Sequence, residues 1–187
     1  MNIGVLGQTL VEAGQLEQAG SILDSASSLH QPPQAIGERV IAFSRALFAE
    51  ASGDLETALS LVTELFQSIE SAGPDQPEGA GCRLFLLRGM IYAGLGRADD
   101  ARADYQSAMA AAKEFGERPS LWRLHAAMAR LFEAQGNTSE AEAQRALGRQ
   151  VVSDLAADVP EAELRATFVR EAERRLSGAP ISILSGN

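Results

Sequence analysis

The residues that could do chemistry are few and far apart in this sequence. The two histidines are His30, beside consecutive prolines, and His125, inside a helical pattern, and the single cysteine is Cys82. Nucleophilic catalysis needs a base within hydrogen-bond reach, and a structural metal site needs about four His, Cys, Asp or Glu ligands. These spacings assemble neither arrangement, and one cysteine forms no internal disulfide. We therefore expect no enzyme activity, no cofactor and no metal site.

The remaining chemically distinctive residues have simple structural interpretations. Asp99 and Asp100 are interpreted as carboxylates in the first turn of a helix, where they favour the helix dipole, rather than as an acid/base pair. Trp122 is interpreted as a helix-packing aromatic residue, with a ligand platform as the alternative. Both histidines are interpreted as surface or packing residues, and the cysteine as a small core residue.

The elements that position these residues are clearest in residues 89–108, GMIYAGLGRADDARADYQSA. Small, aromatic and turn residues follow one another there at helical spacings: Gly89, Tyr92, Gly96, Ala101, Tyr105 and Ala108. Small residues let two antiparallel helices approach closely, and the aromatic side chains fill the space beside the contact. This order resembles the helical hairpin of the tetratricopeptide repeat.

The same order recurs along the chain and indicates an array of hairpins. A copy without gaps lies near the start: Gly7, Leu10, Gly14, Ala19, Leu23 and Ala26. In the second copy Val62 and Leu65 replace the aromatic residue and the last alanine, and in the fourth copy Arg145 and Gly148 replace them. The turn glycines stand at 14, 53, 96 and 136, so the spacings of 39, 43 and 40 exceed the usual ~34 residues.

The predicted fold is all-α, a right-handed α-solenoid of tetratricopeptide-like hairpins with a C-terminal capping helix. We expect a single domain over residues 1–176, followed by a C-terminal tail over 177–187. The four hairpins and the capping helix are expected at about 2–29, 34–72, 82–115, 120–157 and 160–176.

The predicted helix ends follow from individual residues. Ser120 is the expected N-cap of the helix after it, and Pro160 is expected in the first turn of the capping helix. The capping helix has an apolar row at i, i+4 spacing: Leu164, Phe168, Ala172 and Leu176. The first helix lacks an opening turn and an N-cap, so either further sequence precedes Met1 or this helix frays.

Composition and charge limit the partners. A net charge of −9, without a cluster of basic and aromatic residues, argues against direct nucleic-acid binding. No stretch reaches the ~18 apolar residues that span a membrane, and the start has no signal-peptide pattern. Together with the lone cysteine, this favours a cytoplasmic location.

The last third of the chain resembles a more specific group. Residues 116–146, GERPSLWRLHAAMARLFEAQGNTSEAEAQRA, and 159–176, VPEAELRATFVREAERRL, are similar to the C-terminal repeats of large bacterial signalling ATPases, including LuxR-type transcription regulators. The resemblance implies a sensory or partner-binding arm of a signalling protein. The sequence has no GxxxxGK[ST] motif, so nucleotide hydrolysis would lie outside this chain.

The first helices of successive hairpins are expected to form a concave groove. Registering the copies on their turn glycines predicts that apolar residues and arginines line it: Phe43, Leu47, Arg83, Leu86, Met90, Arg123 and Arg130, with Gln8, Glu12, Glu50 and Ala126 beside them. These residues suit an extended or helical partner segment that carries acidic residues. The alternative is that the apolar residues are core between repeats and the arginines are solvated.

Two functional hypotheses remain at this point. The first is a non-enzymatic protein–protein interaction module that binds a protein or peptide partner in the groove. The second is a structural or self-association scaffold with no groove ligand, packed against another domain of its own protein or forming a homo-oligomer. The Lys and Asn pattern of carboxylate-clamp arrays is absent, which argues against a receptor for chaperone tails.

Overall fold

The structure is a computed structural model, and it describes residues 3–26, 30, 33–71 and 80–178. Within these ranges the chain forms nine helices and no strand, which confirms the predicted all-α fold. They are α1 (Ile3–Glu12), α2 (Leu16–Asp24), α3 (Ile36–Ala51), α4 (Leu55–Ser71), α5 (Ala80–Gly94), α6 (Ala98–Glu114), α7 (Arg118–Ala134), α8 (Thr138–Ala157) and α9 (Ala162–Leu176).

The described residues fall into two compact units. Unit 1 contains those up to residue 71, and unit 2 contains residues 80–178. The single domain expected over 1–176 stays a prediction. Residues 179–187 of the expected tail lie outside the described residues.

Four helices end in the same type of glycine turn. The turn glycines have φ from 66° to 82°, the left-handed region that suits glycine: Gly14, Gly53, Gly96 and Gly136. At the third turn the N–H of Gly96 donates to the carbonyl of Ala93 at 3.1 Å, and the N–H of Arg97 donates to that of Tyr92 at 2.8 Å. Equivalent bonds close the other three turns. This Schellman motif joins the first helix of each pair to the second.

In unit 1, α1 approaches two other helices at glycines. A Cβ added at Gly7 would lie 2.5 Å from Cδ2 of Leu23 on α2, so the leucine fills the space that the glycine leaves. A Cβ added at Gly4 would lie 2.8 Å from Cγ1 of Val40 on α3. The buried hydroxyl of Ser44 donates to the Gly4 carbonyl at 2.7 Å. These contacts hold α1 against α2 and α3.

The start of α3 is fixed by the carboxylate of Glu38. It accepts hydrogen bonds from the backbone N–H groups of Gln34 and Ala35, at 2.8 and 3.1 Å, and lies 2.6 Å from Nδ1 of His30. The His30 contact, followed by the two backbone bonds, lowers the pKa of Glu38 to about 2 because each favours the charged carboxylate. The exposed His30 therefore helps to order the entry to α3.

In unit 2, α5 and α6 repeat the glycine contact. A Cβ added at Gly89 would lie 2.5 Å from Cε1 of the buried Tyr105 and 3.3 Å from the carbonyl oxygen of Ala101. Next to this contact in sequence, Arg88 donates two hydrogen bonds of 2.7 Å to the buried carboxylate of Asp104. This bidentate pair sets the register of α5 on α6.

Three helices of unit 2 begin at residues other than expected. α5 begins at Ala80 and α7 at Arg118, each two residues earlier. Ser120 as an N-cap is wrong because Glu117 holds that position and Pro119 lies within the first turn, where no intrahelical N–H bond is lost. α9 begins at Ala162, two residues later than expected, because its N-cap residue Glu161 has extended backbone with ψ 119°.

The capping helix α9 packs against α7 and α8. It does so through four apolar residues that meet Trp122 and Val152: Phe168, Val169, Ala172 and Leu176. The prediction that Leu164 joins this row is wrong, because its side chain is 61% exposed. With 3.6 residues per turn, an i, i+4 row rotates by about 40° at each step, so three steps from Leu176 carry Leu164 off the buried side.

Gly148 and Arg145, the two residues of α8 that depart from the repeat order, both contact the end of α9. A Cβ added at Gly148 would lie 2.5 Å from Cδ2 of Leu176, so the alanine of the repeat pattern would displace this leucine. Arg145 donates from Nε to the Leu176 carbonyl at 3.0 Å and pairs with Glu133. The degenerate positions of the repeat therefore hold the C-terminal end of α9.

The glycine contact in α5 gives a stability prediction. We expect Gly89→Ala to lower the free energy of unfolding of unit 2 by about 1–3 kcal/mol, because the new methyl overlaps the ring of Tyr105. Urea unfolding followed by the fluorescence of Trp122, the single tryptophan, reports on this unit. The control is Gly81→Ala in the same helix, where the nearest atom would be 4.0 Å away. Equal unfolding midpoints for the two variants would contradict the packing described.

The loop before α3 gives a pH prediction. A lowered pKa means that the Glu38 contacts contribute stability above the ordinary value of 4.5 and lose it as pH falls toward 2. We expect His30→Ala to raise the pKa of Glu38 toward 4.5, because the largest cause of the shift is removed. Side-chain carboxyl NMR titration measures this, with Glu38→Gln to assign the signal. An unchanged titration midpoint in His30→Ala would refute the assignment.

Candidate functional site

The seven residues predicted for the groove lie on three helices. Those of unit 1 are on α3, and those of unit 2 are on α5 and α7. The structure brings four of the seven to one pocket in unit 2: Leu86, Met90, Arg123 and Arg130. Arg83 is exposed on α5 outside the lining of this pocket. The groove role of Arg83, and of Phe43 and Leu47 in unit 1, stays a prediction.

The pocket lies where α5, α7 and α9 meet. Leu86 and Met90, one turn apart on α5, form one wall. The floor is on α7 and consists of three buried residues: Trp122, Ala126 and Ala127. Its volume is about 60 Å³, well below the ~300 Å³ at which sites for small-molecule ligands begin. A space of this size accommodates one side chain of a partner.

Small residues on α7 create the pocket. Ala126 and Ala127 have only a methyl side chain, so they leave space on α7 beside the longer Trp122. Trp122 also packs against α9, because its ring meets Phe168 edge-on at a centroid distance of 6.4 Å. Trp122 and Ala126 of the floor therefore also belong to the core that attaches α9.

Three arginines surround the apolar floor. The guanidinium of Arg123 lies 4.8 Å from the centre of the Trp122 ring, and that of Arg175 lies 5.9 Å from it. Arg130 donates from Nε to the carbonyl of Ala126 at 3.3 Å. Cation–π attraction and these hydrogen bonds hold the positive groups along the rim.

The charge around the pocket is opposite to that of the chain as a whole, which is −9. The carboxylate of Glu171 contacts the pocket arginine Arg175 at 2.8 Å. Hydrogen bonds from Arg174 and then Arg175 lower the pKa of Glu171, which therefore stays charged. Arg175 is thus already paired with a carboxylate of its own helix.

Sequence reasoning did not place Trp122 and Arg175 at this site. The tryptophan was interpretable as a packing residue, and it is one, but one edge of the same ring also lines the pocket. Arg175 belongs to the expected charged face of the capping helix. Its spacing of three residues from Ala172 and seven from Phe168, which both pack near Trp122, is the signal that would have placed it on this side of α9.

The other chemically distinctive residues have structural environments. Burial raises the pKa of the Cys82 thiol, and Nδ1 of His125 lies 2.8 Å from the side-chain oxygen of Gln144 on α8. Asp99 lies in the first turn of α6, and Asp100 there pairs with Arg97 at 2.8 Å. Among the residues that the structure describes, no group of three or more His, Cys, Asp or Glu side chains is placed to hold a metal ion.

One part of the chain is similar to a known protein family. Residues 82–144, about a third of its length, match the family model of the tetratricopeptide repeat. The match covers α5, α6 and α7, and thus both helices that form the wall and floor of the pocket. Repeats of this family generally mediate interactions between proteins. No curated protein and no solved structure matches the chain.

The apolar character of the helices was also compared with that of membrane spans. Over the described ranges, none of the helices combines the length and the hydropathy that crossing a bilayer requires.

Proposed function

We propose that this chain is a non-enzymatic interaction module that binds an acidic peptide or helical segment of a partner protein across α5 and α7. The observation that carries the proposal is the pocket itself, where an apolar floor is surrounded by Arg123, Arg130 and Arg175. The tetratricopeptide match over residues 82–144 supports the same type of function.

The geometry favours a polypeptide over a small ligand. The pocket takes one side chain, so most of the binding surface must lie outside it, along the exposed parts of the two helices. Helix α5 has 15 residues and is thus about 22 Å long, enough for several turns of a partner helix or for an extended segment. A leucine, methionine or aromatic side chain of that segment would enter the pocket as an anchor.

The arginines favour an acidic segment. Arginine forms bidentate pairs with carboxylates, and such pairs are stronger than neutral hydrogen bonds. The rest of the acidic surface repels a negatively charged partner, so binding is directed to this basic area. The affinity should therefore fall as the salt concentration rises.

We further propose that the module is the sensory or regulatory part of a larger signalling or transcription-regulatory protein. The resemblance of residues 116–146 and 159–176 to the repeats of such proteins supports this context. These segments contain all of α7 and α9, which supply the floor of the pocket and Arg175.

The alternative function is a structural scaffold with no groove ligand. Trp122 favours it, because only 3% of this side chain is exposed and it packs on Phe168. On this alternative the arginines serve only the contacts that they make within unit 2. The two functions differ in whether the rim arginines affect binding.

A peptide-binding experiment tests the proposal. The probes are fluorescein-labelled helical peptides of about 15 residues, each with one central leucine, methionine or phenylalanine flanked by glutamates. We expect fluorescence polarisation to show saturable binding that Arg123→Glu with Arg130→Glu weakens at least tenfold, or about 1.4 kcal/mol. Ala126→Leu, which fills the pocket without a change of charge, should weaken it as well.

The matched control is Arg118→Glu on the same helix. Arg118 is exposed and 3.7 Å from Asp158, outside the pocket, so the same charge change there should alter the affinity less than threefold. Circular dichroism confirms that each variant folds. Equal loss in Arg118→Glu and in the rim variant would show a general charge effect, and no binding by any of the peptides would favour the scaffold.

A further inference from the structure

The capping helix is followed by a glycine in the left-handed region. Gly178, just after α9, has φ 80°, like the turn glycines after α1, α3, α5 and α7. It follows Gly136 by 42 residues, within the range of the other repeat spacings. Gly116, after the second helix α6, has a similar φ of 71°, so the spacing and the order of the helices, rather than the turn, place α9 as the first helix of a fifth hairpin.

The two sides of α9 differ sharply. One side packs on α7 and α8 through Phe168, Val169, Ala172 and Leu176. The opposite side is exposed and consists of residues at i, i+3, i+4 and i+7: Glu163, Ala166, Thr167 and Arg170. We call these four residues the outer face of α9.

Two residues of the outer face match residues on the side of α5 that meets the second helix of its pair. When Gly178 is set equivalent to Gly96, Arg170 matches Arg88, which donates to Asp104 on α6. Thr167 likewise matches Phe85 of α5. In the described part of the chain, α9 contacts only α7 and α8, so no helix there covers the outer face.

The charges on the outer face indicate which charges a helix packed against it must carry. The second helix of a hairpin runs antiparallel to the first, so a helix on α9 must carry a positive charge opposite Glu163 and a negative charge opposite Arg170. A second copy of α9, running antiparallel, meets both conditions. With a two-fold axis between Ala166 and Thr167, Glu163 of each copy lies opposite Arg170 of the other. The two ion pairs are then about 10 Å apart along the helices, because seven residues separate Glu163 from Arg170.

The remaining residues of this side suit close contact. Ala166 and Thr167 are small and lie at the centre of the outer face, where two helices would be nearest. Leu164 borders the face and is 61% exposed, so a second helix would remove part of a large apolar side chain from water.

We propose that the outer face of α9 is a homodimer interface, in which two copies of α9 pair antiparallel around a two-fold axis. The pairing supplies to each α9 the second helix that follows a first helix elsewhere in the repeat order. This inference is independent of the peptide site, because the outer face and the pocket lie on different sides of α9.

Sedimentation equilibrium of the full chain from about 1 to 100 µM tests the interface. We expect the wild-type chain to dimerise in this range. Glu163→Arg alone and Arg170→Glu alone should each weaken the dimer at least tenfold, because each places two pairs of like charges in contact.

Mixing distinguishes specific pairing from a general effect of charge. Equimolar Glu163→Arg and Arg170→Glu chains should form a heterodimer, because both contacts are then between opposite charges. The double variant should dimerise with itself for the same reason. The control is Gln106→Glu on the exposed side of α6, which should leave the dimer unchanged.

Three results would overturn the proposal. A wild-type chain that stays monomeric at 100 µM shows that residues 179–187 or a different protein cover the face, or that nothing does. A dimer that persists in both single variants uses another surface. Single variants that dissociate and do not recover on mixing, although circular dichroism shows that they are folded, contradict the antiparallel pairing.

Discussion

The side chains of Leu23 and Tyr105 occupy the space that Gly7 and Gly89 leave by having no Cβ. This contact between a glycine on the first helix and a large side chain on the second sets the distance between the two helices. The distance in turn decides which polar groups meet, as in the bidentate bonds from Arg88 to Asp104. Where glycine and large side chain oppose each other, the hairpin closes, and the remaining faces of the helices are left for other helices or for partners.

The same type of contact builds the site. Gly148 admits Leu176, and this places α9 beside α7 with Arg175 within 5.9 Å of the Trp122 ring. The rim of the pocket therefore depends on a position where the fourth repeat departs from the family order. A methyl group at residue 148 would overlap Leu176 and displace α9. The substitution would therefore alter the pocket although residue 148 does not line it. Fold and site share one packing constraint in unit 2.

Much of this arrangement follows from the sequence because its signals are local. Turn glycines and helical spacing predict the all-α hairpins, and registration on the glycines places Leu86, Met90, Arg123 and Arg130 on one side of their helices. The two misses have different causes. Leu164 shares an i, i+4 row with buried residues, yet helix rotation carries it into solvent. Arg175 turns toward the pocket because its neighbour Leu176 is inserted against Gly148. The exposure of Leu164 thus follows from the helical period, whereas the position of Arg175 depends on how α9 packs against α8.

The most direct measurement of the central claim is chemical-shift mapping of the ¹⁵N-labelled chain during titration with an acidic, leucine-anchored peptide. The account predicts that the indole N–H of Trp122, the single tryptophan, shifts together with the backbone signals of Leu86 and Met90. Signals of the exposed residues Gln106 on α6 and Gln150 on α8 should not move. Binding that shifts Gln106 and Gln150 while leaving the Trp122 indole in place would contradict the assignment of the site to α5 and α7.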